Sequence, residues 1–237
     1  MFEVYDTKAE VARALSGHLD RWSAEEGFRS IALSGGSTPQ VWFDLLADEY
    51  QYRLPWPEFL LFWGDERCVP PEDSQSNYGM TRKHLLEKVP VEPSHIYRIR
   101  GENPPAEEAR RYSMVLHDML PQVHGIPQFD LVILGMGDDG HTASIFPHEM
   151  DLWGSDSFCE VATHPESGQK RISLTGQIIN NAKQVVFLVT GANKAAPLAE
   201  IRNRSLGSTQ FPAAHVAPTG GRLLWLVDRE AASLAPH

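Results

Sequence analysis

The sequence predicts an α/β protein with a doubly wound, largely parallel sheet and helices on both faces. Three observations predict it. Short apolar runs of strand length alternate with amphipathic stretches of helix length through most of the chain. Runs such as Leu131-Val132-Ile133-Leu134 and Gln184 to Val189 are almost wholly apolar, which suits strands buried on both faces. Several runs end abruptly in glycine and polar residues, where an open parallel sheet places its ligand crevice. The expected architecture is a Rossmann-like three-layer sandwich. No internal repeat, low-complexity segment or linker divides the 237 residues, so one domain over 1–237 is expected.

Lys8 to Glu26 reads as the first helix, because Val11, Ala14, Leu15, Leu19 and Trp22 recur at helical spacing and Gly27 can stop it. Ser30 to Leu33 is a short buried strand that runs into Ser34-Gly35-Gly36-Ser37-Thr38-Pro39. Thr38 is placed to cap the next helix and Pro39 to open it, with Val41, Trp42, Leu45 and Leu46 on its apolar face. Phe59 to Trp63 is the next strand and ends in Gly64-Asp65-Glu66-Arg67, whose charged residues are expected to face a loop or cleft rather than the core. Cys68 follows as a packed, inert thiol, since nothing nearby would activate it.

After an irregular loop, a helix near Asn77 carries Met80, His84, Leu85 and Leu86, and Ile96 to Ile99 is strand-like. Asn103-Pro104-Pro105 starts a helix through Tyr112, Val115, Leu116 and Met119, ended by Pro121 and Gly125. Leu131 to Leu134 then leads into Gly135, Gly137 and Gly140, with Asp138, Asp139 and His141 among and after them. From Pro147 to Pro165 the pattern weakens, and His148 and His164 read as exposed or locally bonded. Lys170 to Leu174 is a strand, Gln177 to Ala182 a short helix and Gln184 to Val189 a strand. The last of these enters Thr190-Gly191-Ala192-Asn193-Lys194 and a helix from Ala195 to Ile201. Ser208 to Pro218 is loop, Leu223 to Val227 a final strand, and Asp228 onward a short tail.

Composition narrows the function classes. The net charge of −10 argues against a nucleic-acid or anionic-membrane surface while leaving room for a local basic pocket. Cys68 and Cys159 are too few for a disulfide framework, and no Cys/His spacing suggests a structural zinc site; no cofactor is expected. Met1 to Asp6 lacks a basic and apolar leader, and no run has the length of a membrane span. A cytoplasmic protein, a monomer or a weak homo-oligomer, is the expectation.

Four strand ends carry the distinctive residues: Ser34 to Pro39, Gly64 to Arg67, Gly137 to His141, and Gly191 to Lys194. In a parallel sheet these ends share one edge. A strand, glycine loop and helix amino terminus can bind phosphate, with Ser34, Ser37 and Thr38 adding hydroxyls, or serve as a structural cap. Lys194 opposes its helix dipole and so meets either an anion or solvent. Asp139 either orients His141 or caps its own turn.

Read together, these segments resemble the 6-phosphogluconolactonases, in the wider group that includes glucosamine-6-phosphate deaminase. The resemblance is carried by Ser34 to Pro39, Gly64 to Arg67, Ser76-Asn77-Tyr78-Gly79, Leu134 to Pro147, Arg171-Ile172-Ser173 and Gly191 to Lys194. It implies hydrolysis of a phosphorylated sugar lactone without a metal. It also implies phosphate binding by Ser34, Gly35, Gly36, Ser37, Thr38, Arg171 and Lys194, and a catalytic role for His141. Asp139 would steady the imidazole, and Arg67 would stabilise the oxyanion or bind sugar hydroxyls. The deaminase pattern carries a glutamate where this chain has Phe146, and Asp-Glu-Tyr where it has Asp65-Glu66-Arg67. Both departures favour a lactonase. A non-catalytic sugar-phosphate sensor is the competing class; such regulators carry a DNA-binding module, whereas about one helix precedes the first strand here.

Overall fold

Twelve strands and six α-helices follow one another in a computed structural model that describes residues 1–234. Of the tail expected from Asp228 onward, residues 235–237 lie outside the described residues. The strands are β1 (Phe2–Tyr5), β2 (Ser30–Leu33), β3 (Leu60–Trp63), β4 (Asp65–Arg67), β5 (Ile96–Tyr97), β6 (Gln122–Val123), β7 (Ile126–Pro127), β8 (Leu131–Leu134), β9 (Cys159–Thr163), β10 (Lys170–Leu174), β11 (Gln184–Val189) and β12 (Arg222–Asp228). The α-helices are α1 (Lys8–Glu25), α2 (Ser37–Glu49), α3 (Asn77–Thr81), α4 (Pro105–Met119), α5 (Gly176–Asn181) and α6 (Ala195–Asn203). A single π-turn, Arg82–Leu86, extends α3.

Seven strands form one sheet in the order β1-β12-β11-β8-β2-β3-β5, and every neighbouring pair in it is parallel. The expected parallel sheet flanked by helices is therefore the observed one. The chain winds outward from β2 through β3 to β5, then returns to β8 and winds the other way through β11 to β12. The reversal falls between β2 and β8, two strands buried at every position. No described helix is long and apolar enough to cross a membrane.

Two features lie outside the sequence expectation. β1 adds an edge strand parallel to β12; its four residues alternate apolar and polar, too short a run to stand out. A second sheet, β4-β10-β9, is antiparallel and hangs beyond the end of β3. Its β4 is the charged Asp65-Glu66-Arg67 segment, and its β9 falls in the stretch where the pattern weakens. Helix α2 also begins earlier than expected. Gly36 is its N-cap at φ +106°, a conformation open to glycine, so the chain turns into the helix before Thr38 and Pro39. Thr38 does not cap it, because its hydroxyl bonds the Thr190 hydroxyl at 2.6 Å. Helix α1 has a capping box, with Thr7 and Glu10 each bonding the other's backbone N–H.

The amino-terminal edge of the sheet is tied at the reversal by Asp130. Its Oδ2 accepts from the backbone N–H groups of Arg29 and Ser30, both at 2.9 Å, and from the Ser30 hydroxyl at 3.0 Å. Its Oδ1 accepts from Lys183 Nζ at 2.7 Å, just ahead of β11. One carboxylate thus joins the starts of β2, β8 and β11. Burial alone would raise its pKa, but Lys183 and the Ser30 and Arg29 N–H groups outweigh burial and hold it below the usual value. A depressed carboxyl contributes stability above the unfolded pKa of about 3.9, lost as pH falls through the folded value. Asp130→Asn is expected to cost roughly 1–3 kcal/mol at pH 7 in urea unfolding. The variant's stability should fall less steeply than wild type below about pH 4.

Candidate active site

Beyond the reversal the two central strands part. β2 and β8 are in register only at Ile31–Leu131 and Ala32–Val132. The next residues turn to their outer neighbours, Leu33 to Trp63 and Leu134 to Phe187. A cleft of about 180 Å³ opens there, lined by Ser34, Gly35, Gly36, Asp65, Arg67, Asn77, Gly135, Met136, Gly137, His141, Ala143, Arg171 and Lys194. Three of the four expected strand-end segments reach it directly, and Lys194 brings in the fourth. This is the crevice at a topological switch point that open α/β sheets use for ligands.

His141 is oriented by its own loop. Its Nδ1 lies 2.6 Å from Asp139 Oδ1, and its backbone N–H donates to the same oxygen at 3.0 Å. A carboxylate there calls for a proton on Nδ1 and leaves the Nε2 lone pair free. Burial pushes the Asp139 carboxyl up, but the hydrogen bond and charge of His141 win and hold it below its usual value, so it is ionised at neutral pH. The loop makes room for this pair at Gly137, where a Cβ would fall 2.1 Å from His141 Nδ1 and 2.4 Å from Asp139 Oδ1.

The cationic wall comes from the small sheet. Arg67 and Arg171 are direct cross-strand partners, as are Asp65 and Ser173 two residues along. Strand alternation puts Asp65 and Arg67 on the cleft face and Glu66 on the other. Asp65 and Arg67 thus face a cleft, as expected of this charged segment; Glu66, 2% exposed, is the exception and turns into the core. Glu66 accepts from the backbone N–H of Arg67, Asn77 and Tyr78 and from the Ser76 hydroxyl, at 2.7–3.0 Å, and so anchors the start of α3 against β4. Asp65 accepts from the Ser144 hydroxyl at 2.6 Å and holds the Asn77 side chain through its backbone carbonyl at 3.0 Å.

Two guanidinium groups opposite each other repel. Burial and the charge of Arg67 lower the Arg171 pKa, with Asp65 and Glu66 acting in the other direction. Arg67 Nη1 donates to the Gln75 carbonyl at 2.5 Å and Arg171 Nη1 reaches Ser144 Oγ at 3.4 Å. The Nε of each is buried without a partner. Among the described residues the His, Cys, Asp and Glu side chains form no group suited to a metal ion.

Of the residues expected from sequence, Ser34, Gly35, Gly36, Arg67, His141, Arg171 and Lys194 line the cleft, and Asp139 supports His141 from behind. Ser37 and Thr38 do not line it. Ser37 is exposed and its hydroxyl accepts from Lys8 Nζ at 3.1 Å, while Thr38 is bound to Thr190. Asp65 and Asn77 are cleft residues to which the sequence reading gave no role; the alternation of Asp65 with Arg67 was the available signal. His164 is locally bonded, as expected, its Nδ1 accepting from the backbone N–H groups of Glu166 and Ser167 at 3.3 Å, and it also packs edge-on to Phe146 at 5.3 Å. Cys68 is half-buried, and burial with the charges of Glu66 and Glu108 pushes its thiol up to about 11, in keeping with an inert role.

Fold and cleft together define a doubly wound α/β protein with its binding crevice at the strand reversal. Comparison with known proteins narrows the class. Residues 5–225 match the family described as glucosamine-6-phosphate isomerases/6-phosphogluconolactonase. A 6-phosphogluconolactonase of Treponema pallidum is 50% identical over 198 residues, covering 84% of this chain and 82% of its own. Among solved structures, the devB protein has a TM-score of 0.93 at 38% identity, covering 98% of both chains. The 6-phosphogluconolactonase of Trypanosoma brucei has a TM-score of 0.86 at 29% identity, covering 98% of this chain and 97% of its own. The chain belongs to the glucosamine-6-phosphate isomerase/6-phosphogluconolactonase family.

Gly137→Ala tests the pairing of Asp139 with His141. Gly137 has no positive φ, so a methyl group adds crowding without backbone strain. The wild type should show a low-field Nδ1–H proton resonance for His141, and the variant should lose it while keeping its far-UV circular dichroism.

Proposed function

We propose that this chain hydrolyses 6-phospho-D-glucono-1,5-lactone to 6-phospho-D-gluconate, the second step of the oxidative pentose phosphate pathway. The observation that carries the reading is a carboxylate-oriented imidazole sharing one small cleft with Arg67, Arg171 and Lys194. Relatives named for this activity support it at up to 50% identity. In this reading the whole chain is one sugar-phosphate lactonase domain, active in the cytoplasm as a monomer or weak homo-oligomer.

A δ-lactone carries an electrophilic carbonyl and an internal leaving group. Water attacks carbon 1 while His141 Nε2 takes its proton, and the carbonyl electrons move to oxygen. The tetrahedral intermediate then collapses, the bond from carbon 1 to the ring oxygen breaks, and the imidazolium returns the proton to that oxygen. Asp139 keeps the imidazole in the reactive tautomer and stabilises its charged form. Arg171 and Lys194 hold the 6-phosphate with the Ser34 to Gly36 turn. Arg67, beside Arg171, donates to the sugar oxygens and to the developing oxyanion. Anchoring the phosphate at one end sets the carbonyl against the base at the other. The phosphate also answers the repulsion between the two arginines.

Ring opening of an amino sugar, the deaminase alternative, is disfavoured by Phe146. The deaminase pattern has a glutamate at this position, and here a ring 1% exposed packs against His141 at 4.7 Å.

His141→Ala should lower kcat by roughly 10²–10⁴ once spontaneous lactone opening is subtracted; near-normal turnover would rule out the general base. Arg171→Gln should raise KM for the phosphorylated lactone and leave kcat/KM for unphosphorylated glucono-δ-lactone unchanged. Equal kcat/KM of the wild type on both lactones would contradict an anion pocket.

A further inference from the structure

We propose that Phe146 is a positioning residue whose single buried ring fixes the His141 imidazole and the Arg171 guanidinium relative to one another, so that base and anion pocket are set as one unit. The inference deepens the lactonase reading and rests on it.

Hydrogen bonding holds each of these groups incompletely. His141 is bonded by its side chain at Nδ1 only, to Asp139. The imidazole is otherwise kept in place by packing, against Gly137 and against the Phe146 ring at 4.7 Å and 47°. Arg171 is held more loosely still. Its Nε has no partner, and its one side-chain hydrogen bond is the 3.4 Å contact with Ser144 Oγ. Its guanidinium carbon stands 5.5 Å from the Phe146 centroid, where the negative face of the ring attracts a cation. One phenyl ring therefore touches the group proposed to take the proton and a group proposed to hold the phosphate.

The ring itself is well fixed. Phe146 is buried, and its carbonyl accepts from the Glu149 N–H at 3.0 Å. The turn before it is closed by Ile145 N–H to the Thr142 carbonyl at 3.0 Å and pinned by Ser144 to Asp65 and to Ser173. His164 at 5.3 Å and His148 at 5.9 Å pack around its rim. A platform this constrained gives the imidazole and the guanidinium one common surface to pack against.

Phe146→Leu removes the ring and keeps an apolar side chain. On the phosphorylated lactone kcat should fall roughly 10- to 100-fold, as for a misplaced reacting group, and KM should rise about 2- to 30-fold, the range of a lost cation–π contact. On unphosphorylated glucono-δ-lactone kcat should fall with KM unchanged. The His141 Nδ1–H resonance should broaden. Phe146→Tyr, which keeps the ring, should restore both constants. Wild-type constants in Phe146→Leu overturn the proposal. So does a fall in kcat with KM and the resonance unchanged, which is only a loss of folded enzyme, and so does a change in KM alone. Should Phe146→Leu not fold, fluorinated phenylalanines at position 146 keep the shape and weaken the ring face; KM for the phosphorylated lactone must then rise with fluorination, and a constant KM overturns the proposal. A wild type without lactonase activity defeats the underlying reading instead. In that case the resonance and the binding of 6-phosphogluconate to Phe146→Leu still decide whether the ring holds both groups.

Discussion

The parting of β2 from β8 is the constraint on which the rest depends. Two parallel strands that pair at only two positions must surrender their ends to outer neighbours, and a gap between their carboxyl ends is the geometric result. Everything chemical is arranged around that gap. The glycine turns after each strand let backbone come close to whatever fills it. The β4-β10 ladder walls it from one side, and the loop after β11 brings Lys194 to its lining. The cleft is therefore a consequence of winding order, and its residues come from segments as far apart in sequence as Ser34 and Lys194.

The small antiparallel sheet decides what the gap is made of. Its pairing sets Arg67 opposite Arg171 and Asp65 opposite Ser173, and its alternation sends Glu66 the other way. One three-residue strand thereby does two jobs. The cleft face presents charge to a ligand, and the opposite face fastens α3 so that Asn77 reaches the lining. An isolated pair of facing guanidinium groups would be a poor way to hold a sheet together. Under the proposed function their placement is preorganisation, with repulsion in the free protein that the substrate's phosphate would relieve.

Most of the main sheet was legible because its strands are short, apolar and separated by periodic helices. Ser30 to Leu33, Leu131 to Leu134 and Gln184 to Val189 read as buried strands and are buried throughout. The lining of the cleft was legible in outline because a parallel sheet gathers its strand ends, so residues that looked scattered had to share an edge. What escaped was pairing that depends on tertiary context. Asp65-Glu66-Arg67 has no strand propensity, and it becomes a strand because β10 lies beside it and donors from residues 76–78 satisfy Glu66. Thr38 looked like a cap and instead bonds Thr190, 152 residues away, a contact that no local rule could supply. Phe146 looked like an apolar substitute for a carboxylate; its neighbours His141, His164 and Arg171 come from three separate segments.

Two buried carboxylates show how the opposite edges of the sheet differ. Asp130, at the amino edge, keeps its pKa below the usual value, because the Lys183 ammonium and two N–H groups more than repay its burial. It stabilises the fold wherever it is ionised. Glu66, beside the cleft, has its pKa raised, since burial and the charge of Asp65 outweigh three backbone N–H donors. A raised carboxyl contributes stability below its unfolded pKa and loses it as pH rises through the folded value. The first staple lies at the amino ends of the main sheet's strands, and the second lies beyond their carboxyl ends, in the small sheet. That division follows from chemistry: the amino edge has only to hold the strands together, whereas the carboxyl edge must keep like charges close and donors unspent. Replacing Glu66 with an apolar side chain would relieve the charge and leave the Asn77 and Tyr78 N–H groups and the Ser76 hydroxyl without an acceptor. The carboxylate is thus better understood as the device that holds the cleft wall in register than as a source of stability.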